Sequence, residues 1–302
     1  MQCMLREELI IEKPVGGKGV RMRVYVSIDA EGLPGIVSIS QIAEGGRHFN
    51  ELRKIMTRIA VACIDALRKE GVESVWISDS HGSMLNIDYA EIPRGVVLIR
   101  GSLRPVAMIT GIDQGFDGAI FVGYHSAAGV AKSVMDHTVS GRAFHEIRVC
   151  GRRASEFYVN ALVAGQYGVP VILVAGDDKL REDVAEATPW AVYIEMKRSI
   201  TRFAAVSPAL DDVIDSLRDG IAKAVENLRR GACRPLKPPK TPLDLEIVFR
   251  RSEYADAVEM VPGFERVDAY TVRTRAASPT ELAKLIEVAA LIALAVDSLI
   301  QR

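Results

Sequence analysis

Apolar residues along this chain fall into short continuous runs separated by stretches of helical periodicity. Residues 20–28 alternate and are rich in Val, which predicts a strand that ends at Asp29. Over residues 50–69, Leu52, Ile55, Met56, Ile59, Cys63, Ala66 and Leu67 recur on one helical face, and Gly71 is placed to end that helix. Further strands are predicted over 72–78, 96–100 and 118–124, the last containing Ala119-Ile120-Phe121-Val122. Continuous apolar runs alternating with helices are the pattern of parallel strands covered on both faces.

Beyond residue 124 the pattern changes. Residues 133–139 and 146–150 flank Gly141-Arg142 and read as a hairpin. A helix over 155–167 and a strand over 169–175 follow, ending at Gly176-Asp177-Asp178. Ser207-Pro208 predicts a helix start with Ser207 as its side-chain cap, and that helix runs to about residue 230. Pro235, Pro238, Pro239 and Pro242 mark residues 234–242 as a linker. Strands over 243–250 and 270–275 come next, and Ser278-Pro279-Thr280-Glu281 opens the last helix in the manner of a capping box.

The expected fold class is α/β: a mainly parallel sheet flanked by helices in Rossmann-like layers, with an additional α+β portion. The expected division is an N-terminal extension at 1–21, a first part of the α/β core at 22–114, and an α+β portion at 115–205. Residues 206–302 then supply the helix, the Pro-rich linker and the closing strands and helix.

Composition narrows the function. A net charge of −1 with scattered Lys and Arg gives no reason to expect a nucleic-acid or acidic-membrane partner. Cys3, Cys63, Cys150 and Cys233 form no C-x-x-C pair, which fits a reducing, cytoplasmic setting. The charged N-terminus has no apolar core of a secretory signal. The apolar stretch 285–300 is interrupted by Glu287 and Asp297 and is shorter than a bilayer span, so it predicts a buried or interface helix rather than a membrane anchor.

The candidate chemistry sits where predicted strands end. Asp29 and Glu31 are two apart in Asp29-Ala30-Glu31-Gly32, so on extended backbone their carboxylates share a side. Two converging carboxylates need a proton or cation between them, although Asp-x-Glu-Gly also favours a plain turn. His81 follows one strand and His125 another, in a chain with only five histidines. Glu156 opens a helix, where a carboxylate also suits the helix dipole, and Asn160 lies four residues on along the same face, able to orient Glu156 or a substrate. His137 is a candidate acid or base, whereas His48 and His145 read as surface or structural residues. Asp79-Ser80-His81 is not a catalytic triad, because neighbouring side chains on a strand point apart. Imidazole and carboxylate together are a zinc ligand set, and the carboxyl ends of parallel strands are where such sites are built.

These pieces resemble, in order, the zinc D-aminopeptidases of the dipeptide-transport-operon type. The matching residues are Tyr25, Ser27, Asp29, Glu31 and Gly32; Asp79-Ser80-His81; Gly123-Tyr124-His125; Val134, Met135 and His137; and Glu156 with Asn160. Val163-Ala164-Gly165, Val174-Ala175-Gly176-Asp177-Asp178 and Pro262-Gly263 match as well. The resemblance implies two zinc ions per subunit, with Asp29 bridging, Glu31 and His81 on one ion, and His125 and Glu156 on the other. It implies His137 as the catalytic histidine, acting as base, nucleophile or oxyanion stabiliser. It further implies hydrolysis of short peptides or amino-acid amides with D-residues at the N-terminus by a zinc-activated water, and a ring-based homo-oligomer, a decamer in that family. The loop between His125 and His137 is slightly longer here, and the first 21 residues have no counterpart and are expected to be dispensable. The alternatives are another two-metal amide or ester hydrolase on the same scaffold, or a non-enzymatic small-molecule-binding α/β protein.

Overall fold

A computed structural model of the protein describes residues 22–300, so the expectation for residues 1–21 lies outside the described residues. The chain begins with β1 (Arg23–Ile28), the short α1 (Ile39–Ile42) and α2 (Phe49–Lys69), followed by β2 (Ser74–Asp79), β3 (Val96–Ile99) and β4 (Gly118–Tyr124). Next come β5 (Phe144–Val149), β6 (Arg152–Arg153), α3 (Glu156–Gln166), β7 (Val171–Asp177), α4 (Leu180–Ala187), β8 (Val192–Thr201) and β9 (Ala204–Val206). The chain closes with α5 (Leu210–Arg229), β10 (Leu243–Phe249), α6 (Ser252–Val258), β11 (Glu265–Arg266), β12 (Thr271–Ala276) and α7 (Pro279–Ile300).

Two sheets result. A seven-stranded sheet runs β3-β2-β1-β4-β7-β8-β9, parallel except at the β8–β9 edge. A five-stranded antiparallel sheet runs β11-β12-β10-β5-β6. The α/β class is therefore the observed one, with a mainly parallel sheet and an added antiparallel part. Strand order reverses at β1 and β4: the chain moves outward through β2 and β3, then returns to the other side of β1. The carboxyl ends at such a reversal form a crevice open to ligands.

Both faces of the large sheet are covered, which is why its strands read as continuous apolar runs. Val24, Val26 and Ile28 of β1 pack with Leu52, Met56, Ile59 and Cys63 of α2 and with Leu217 and Ile221 of α5. Tyr25, on the opposite face of β1, joins Phe121, Phe157 and Leu162 together with Ile247 and Ile286. α2 ends near Gly71, in a left-handed conformation at φ 73°, as its stripe and glycine predict. Among the described residues, no helix is long and apolar enough to cross a membrane.

Several sequence expectations need correction. Residues 133–139 form no hairpin: Met135 and Val139 have φ of 50° and 61°, which a strand does not allow. The Val134 N–H donates to Ser199 Oγ (3.1 Å) and the Met135 N–H to Arg202 O (2.8 Å), so no ladder is left to form. The alternating pattern there comes from a packed loop, with Ser133 and Asp136 buried beside Val134 and Met135. β5 pairs instead with β10 and β6. Ser207 is not the cap of α5; its hydroxyl accepts the Gly35 N–H (2.9 Å), and the helix starts at Leu210 with Asp211 and Asp212 in its first turn. The proline-rich segment runs from α5 to β10 and is held by Leu236 against the core. α4, β8, β9 and α6 carry no pattern strong enough to predict.

Candidate metal centre

Each site residue is delivered by the end of an element. β1 passes into Asp29, whose N–H still bonds Val122 O (2.8 Å), and the Gly32 N–H bonds Gly123 O (2.7 Å). The two backbones approach so closely that a Cβ on Gly123 would lie 2.1 Å from Asp29 O, and Gly123 itself has φ +75°. That contact holds the Asp29–Glu31 turn against the strand leading to His125. His81 lies beyond β2, where Ser80 N–H bonds Ile28 O (2.9 Å). Buried Asp79 shapes the following loop by accepting from the Asn86 N–H (2.6 Å), the Ile87 N–H (2.8 Å) and the Asn86 side chain (2.8 Å). Glu156 is the first residue of α3, capped by Ser155, and its Oε1 accepts the Val139 N–H (2.6 Å), which draws the His137 loop inward.

The fold brings together Asp29, Glu31, His81, His125, Glu156 and His137. His81 Nδ1 stands 3.0 Å from Glu31 Oε2 and 3.4 Å from Asp29 Oδ1. His125 Nε2 stands 3.5 Å from Asp29 Oδ2 and 3.6 Å from Glu156 Oε2. His137 Nε2 lies 3.7 Å from Glu31 Oε1 and 3.6 Å from Glu156 Oε1, and its ring stacks on that of His125 at 4.3 Å. His48 and His145 are exposed, and neither joins this cluster.

Each of the three imidazoles spends one nitrogen on a backbone carbonyl: His81 Nε2 on Ile42 O (3.0 Å), His125 Nδ1 on Ser126 O (3.0 Å) and His137 Nδ1 on Met135 O (2.9 Å). A carbonyl only accepts, so those nitrogens donate. In the neutral rings the other nitrogens then present lone pairs to carboxylates, acceptor against acceptor. Among the described residues, Asp29 Oδ2, Glu31 Oε2 and His125 Nε2 are buried and no hydrogen-bond partner meets them. Such an arrangement needs protons or a cation to be stable. Zinc bonds of about 2.1 Å in a tetrahedron separate the ligand atoms by about 3.4 Å, close to the observed spacings. Two triads, Asp29–Glu31–His81 and Asp29–His125–Glu156, draw their ligand atoms within 4.8 Å of one another and share Asp29; the residues fit a metal centre.

Electrostatics follow the same logic. Burial, and next the charge of Glu31, push the Asp29 carboxyl up to about 8. Burial also works on Glu31, but the charge of the adjacent His81, then those of His137 and His125, hold it well below the usual range. Burial lowers His81, yet Glu31 and Asp29 outweigh it and raise the ring well above its ordinary value. For His125 burial is again overcome, chiefly by Glu156, to about 10. Burial opposes but does not stop the lowering of Glu156 by His125 and His137. Burial and the charge of His125 keep His137 low. Without a cation, protons on His81 and His125 balance the acids, and a bound cation replaces them.

A cavity of about 440 Å³ opens from this cluster. Its walls are apolar, with Leu103, Val106 and Met108 on one side and Ile286, Ala290 and Leu294 of α7 on another. Asn160 lines it too, but its side-chain nitrogen donates to the Tyr124 hydroxyl (3.0 Å), so Asn160 orients Tyr124 rather than Glu156.

A family model described as D-aminopeptidase matches residues 22–288. The chain belongs to the D-aminopeptidase family. It is 34% identical over 246 residues to the D-aminopeptidase of Bacillus subtilis, covering 81% of this chain and 87% of that one. The solved structure described as the Zn-dependent D-aminopeptidase DppA from Bacillus subtilis, a self-compartmentalizing protease, superposes with a TM-score of 0.85. That match has 31% identity and covers 90% of this chain and 98% of the other.

Around the centre of this D-aminopeptidase family member lie polar residues to which sequence reasoning gave no role. The Tyr124 hydroxyl meets Ser27 Oγ (2.8 Å), which meets Ser80 Oγ (2.7 Å), and Ser80 and Ser78 both donate to Met108 O. This network fixes the cavity floor below Asp29. Asp177 accepts the N–H of Ser126 (3.1 Å), next to His125. Lys197, buried in mid-strand, donates from Nζ to Ile36 O and so ties the loop after Glu31 to β8. Burial drops its ammonium to about 8, against the pull of Asp177, Glu31 and Asp29. The sequence carries no signal for it, since Lys197 stands beside Glu195 and Arg198 in a strand that those charges disguise.

Proposed function

We propose that this protein is a two-zinc aminopeptidase that releases D-amino acids from the N-termini of short peptides or amino-acid amides. The single observation behind this is the pair of buried ligand triads that share Asp29, where the carboxyl ends of β1, β2 and β4 meet the first turn of α3. Asp29 would hold both ions, Glu31 and His81 one of them, and His125 and Glu156 the other. Bound zinc lowers the pKa of a water toward neutrality and polarises a carbonyl. A third grouping, Glu31 with His125 and His137, also lies within 4.8 Å. His137 is the most exposed of the three rings, 16% against 9% and 1%, and it lines the cavity, so we read it as facing substrate.

With Nδ1 held by Met135 O, the atom of His137 available to the reaction is Nε2. A neutral ring there takes a proton from the attacking water and returns it to the departing amine. The side-chain nitrogen of Asn160 is engaged by Tyr124, which leaves its carbonyl oxygen to accept an N–H of the substrate. The apolar walls exclude bulk water and strengthen these contacts. Val288, Leu291, Leu294, Leu299 and Ile300 leave an exposed apolar surface on α7, beside the cavity. That surface supports a homo-oligomer, and the resemblance a ring-based decamer, in which only small substrates reach the site. Free Cys63, Cys150 and Cys233 fit a cytoplasmic setting.

The test is hydrolysis of D-alanyl peptides and D-alaninamide beside their L-counterparts, with and without a chelator. Turnover should favour the D-series and fall roughly 100-fold or more with chelator, returning with zinc. Undiminished turnover in chelator would contradict the metal mechanism, and equal rates on both series would contradict the D-preference.

A further inference from the structure

We propose that Glu287 of α7 grips the α-ammonium group of the substrate, which restricts the site to short peptides and amides with a free N-terminal amine. This rests on the peptidase reading above and names the group that makes the enzyme an aminopeptidase. Four carboxylates line the cavity: Asp29, Glu31, Glu156 and Glu287. The first three belong to the metal centre, so Glu287 alone is left for an organic cation.

The placement of Glu287 is costly for the fold. It stands on the α7 face that lines the cavity, one position from Ile286 and one turn from Ala283, Ala290 and Leu291. Among the described residues, no hydrogen bond or ion pair holds it. Burial, and next the negative charge of Glu156, push its carboxyl up, with Arg104 pulling the other way. Arg104 is not its partner: the two terminal nitrogens of its guanidinium donate to Ser78 Oγ (3.1 Å), Asp79 O (2.7 Å) and the Met84 sulfur, and among the described residues its buried Nε meets no acceptor, Glu287 included. The other two acids of α7 have structural uses: Glu281 accepts the Ala277 N–H (2.6 Å), and Asp297 accepts from the Tyr254 hydroxyl and from Arg251 (3.3 Å). Glu287 has no such use. A half-buried carboxylate facing an otherwise apolar wall becomes favourable when a cation enters and pairs with it.

The geometry suits an N-terminal residue. Its scissile carbonyl must sit at the metal end, its side chain against apolar wall, and its ammonium toward the remaining carboxylate. An internal residue of a longer chain offers a neutral amide at that point and gains nothing from Glu287.

The variant Glu287→Gln keeps the shape and removes the charge. The two probes are D-alanine p-nitroanilide and propionyl p-nitroanilide, which is the same compound without its amine. On zinc-loaded enzyme the variant should lose about tenfold or more in kcat/KM on the amine substrate, mainly through KM. On the propionyl compound it should stay within about twofold of wild type. Equal losses on both, or no loss on either, would overturn the assignment. Wild-type enzyme that cleaved neither compound would sink the peptidase reading instead. Equilibrium binding of D-alaninamide and propionamide would still judge Glu287: an amine preference lost in the variant upholds it, and equal affinities for the two in wild type overturn it.

Discussion

Asp29→Ala is expected to empty the zinc site and reduce D-alaninamide hydrolysis by roughly a thousandfold or more. The effect is large because one side chain serves two clusters. Oδ1 faces His81 at 3.4 Å and also accepts the Ala30 N–H (2.8 Å), while Oδ2 faces His125 at 3.5 Å and, among the described residues, has no other partner. Removing the carboxylate takes a ligand from each triad, whereas His81→Ala or His125→Ala takes a ligand from only one. The loss is not a loss of fold. In the metal-free protein the Asp29 carboxyl is raised to about 8, far above its usual range near 4. A raised acid keeps its proton in the folded state, so the folded state binds more protons than the unfolded one between those values. Its contribution therefore weakens stability as pH rises from about 4 toward 8. Metal-free Asp29→Ala should consequently melt no lower than metal-free wild type at neutral pH. Zinc content by elemental analysis, set beside thermal melting of the metal-free forms, checks both parts. A variant that kept two zinc ions would refute the bridging role.

His137→Ala separates chemistry from metal binding. The ring is held by Met135 O on one side and stacks on His125, but it reaches the carboxylates only at 3.6 and 3.7 Å from the cavity side. Its removal should leave the zinc content of the protein intact and lower kcat by about 10²- to 10⁴-fold, with KM changing little. Loss of zinc from this variant would place His137 among the ligands, in the third grouping with Glu31 and His125. Unchanged kcat would remove it from the reaction altogether.

Much of the candidate site is legible in the sequence because of where its residues stand. Asp29, His81 and His125 each follow an apolar run, and parallel strands put such positions at one edge of a sheet. Glu156 was less legible: as the first residue of a helix it is indistinguishable in sequence from an ordinary dipole-compensating acid. Its position opposite His125 arises from how α3 packs, which no local pattern encodes. The His137 loop was misread as a strand because its buried polar residues, Ser133 and Asp136, fall between buried apolar ones. Their hydrogen bonds, Ser126 Oγ with Ser133 Oγ (2.5 Å) and the Gly129 N–H to Asp136 (2.8 Å), become visible only in three dimensions. Likewise β8 was hidden by Glu195, Lys197 and Arg198, charges that a strand normally avoids and that here tether a loop or face solvent. Glu287 registered in the sequence only as an interruption of an apolar helix. The fold turns that interruption into a charged point on the wall of the cavity.

The most direct measurement is anomalous diffraction at the zinc edge from crystals of the zinc-loaded protein. Two peaks are expected per subunit, one among Asp29, Glu31 and His81 and the other among Asp29, His125 and Glu156. A single peak, or peaks away from Asp29, would contradict the two-metal account.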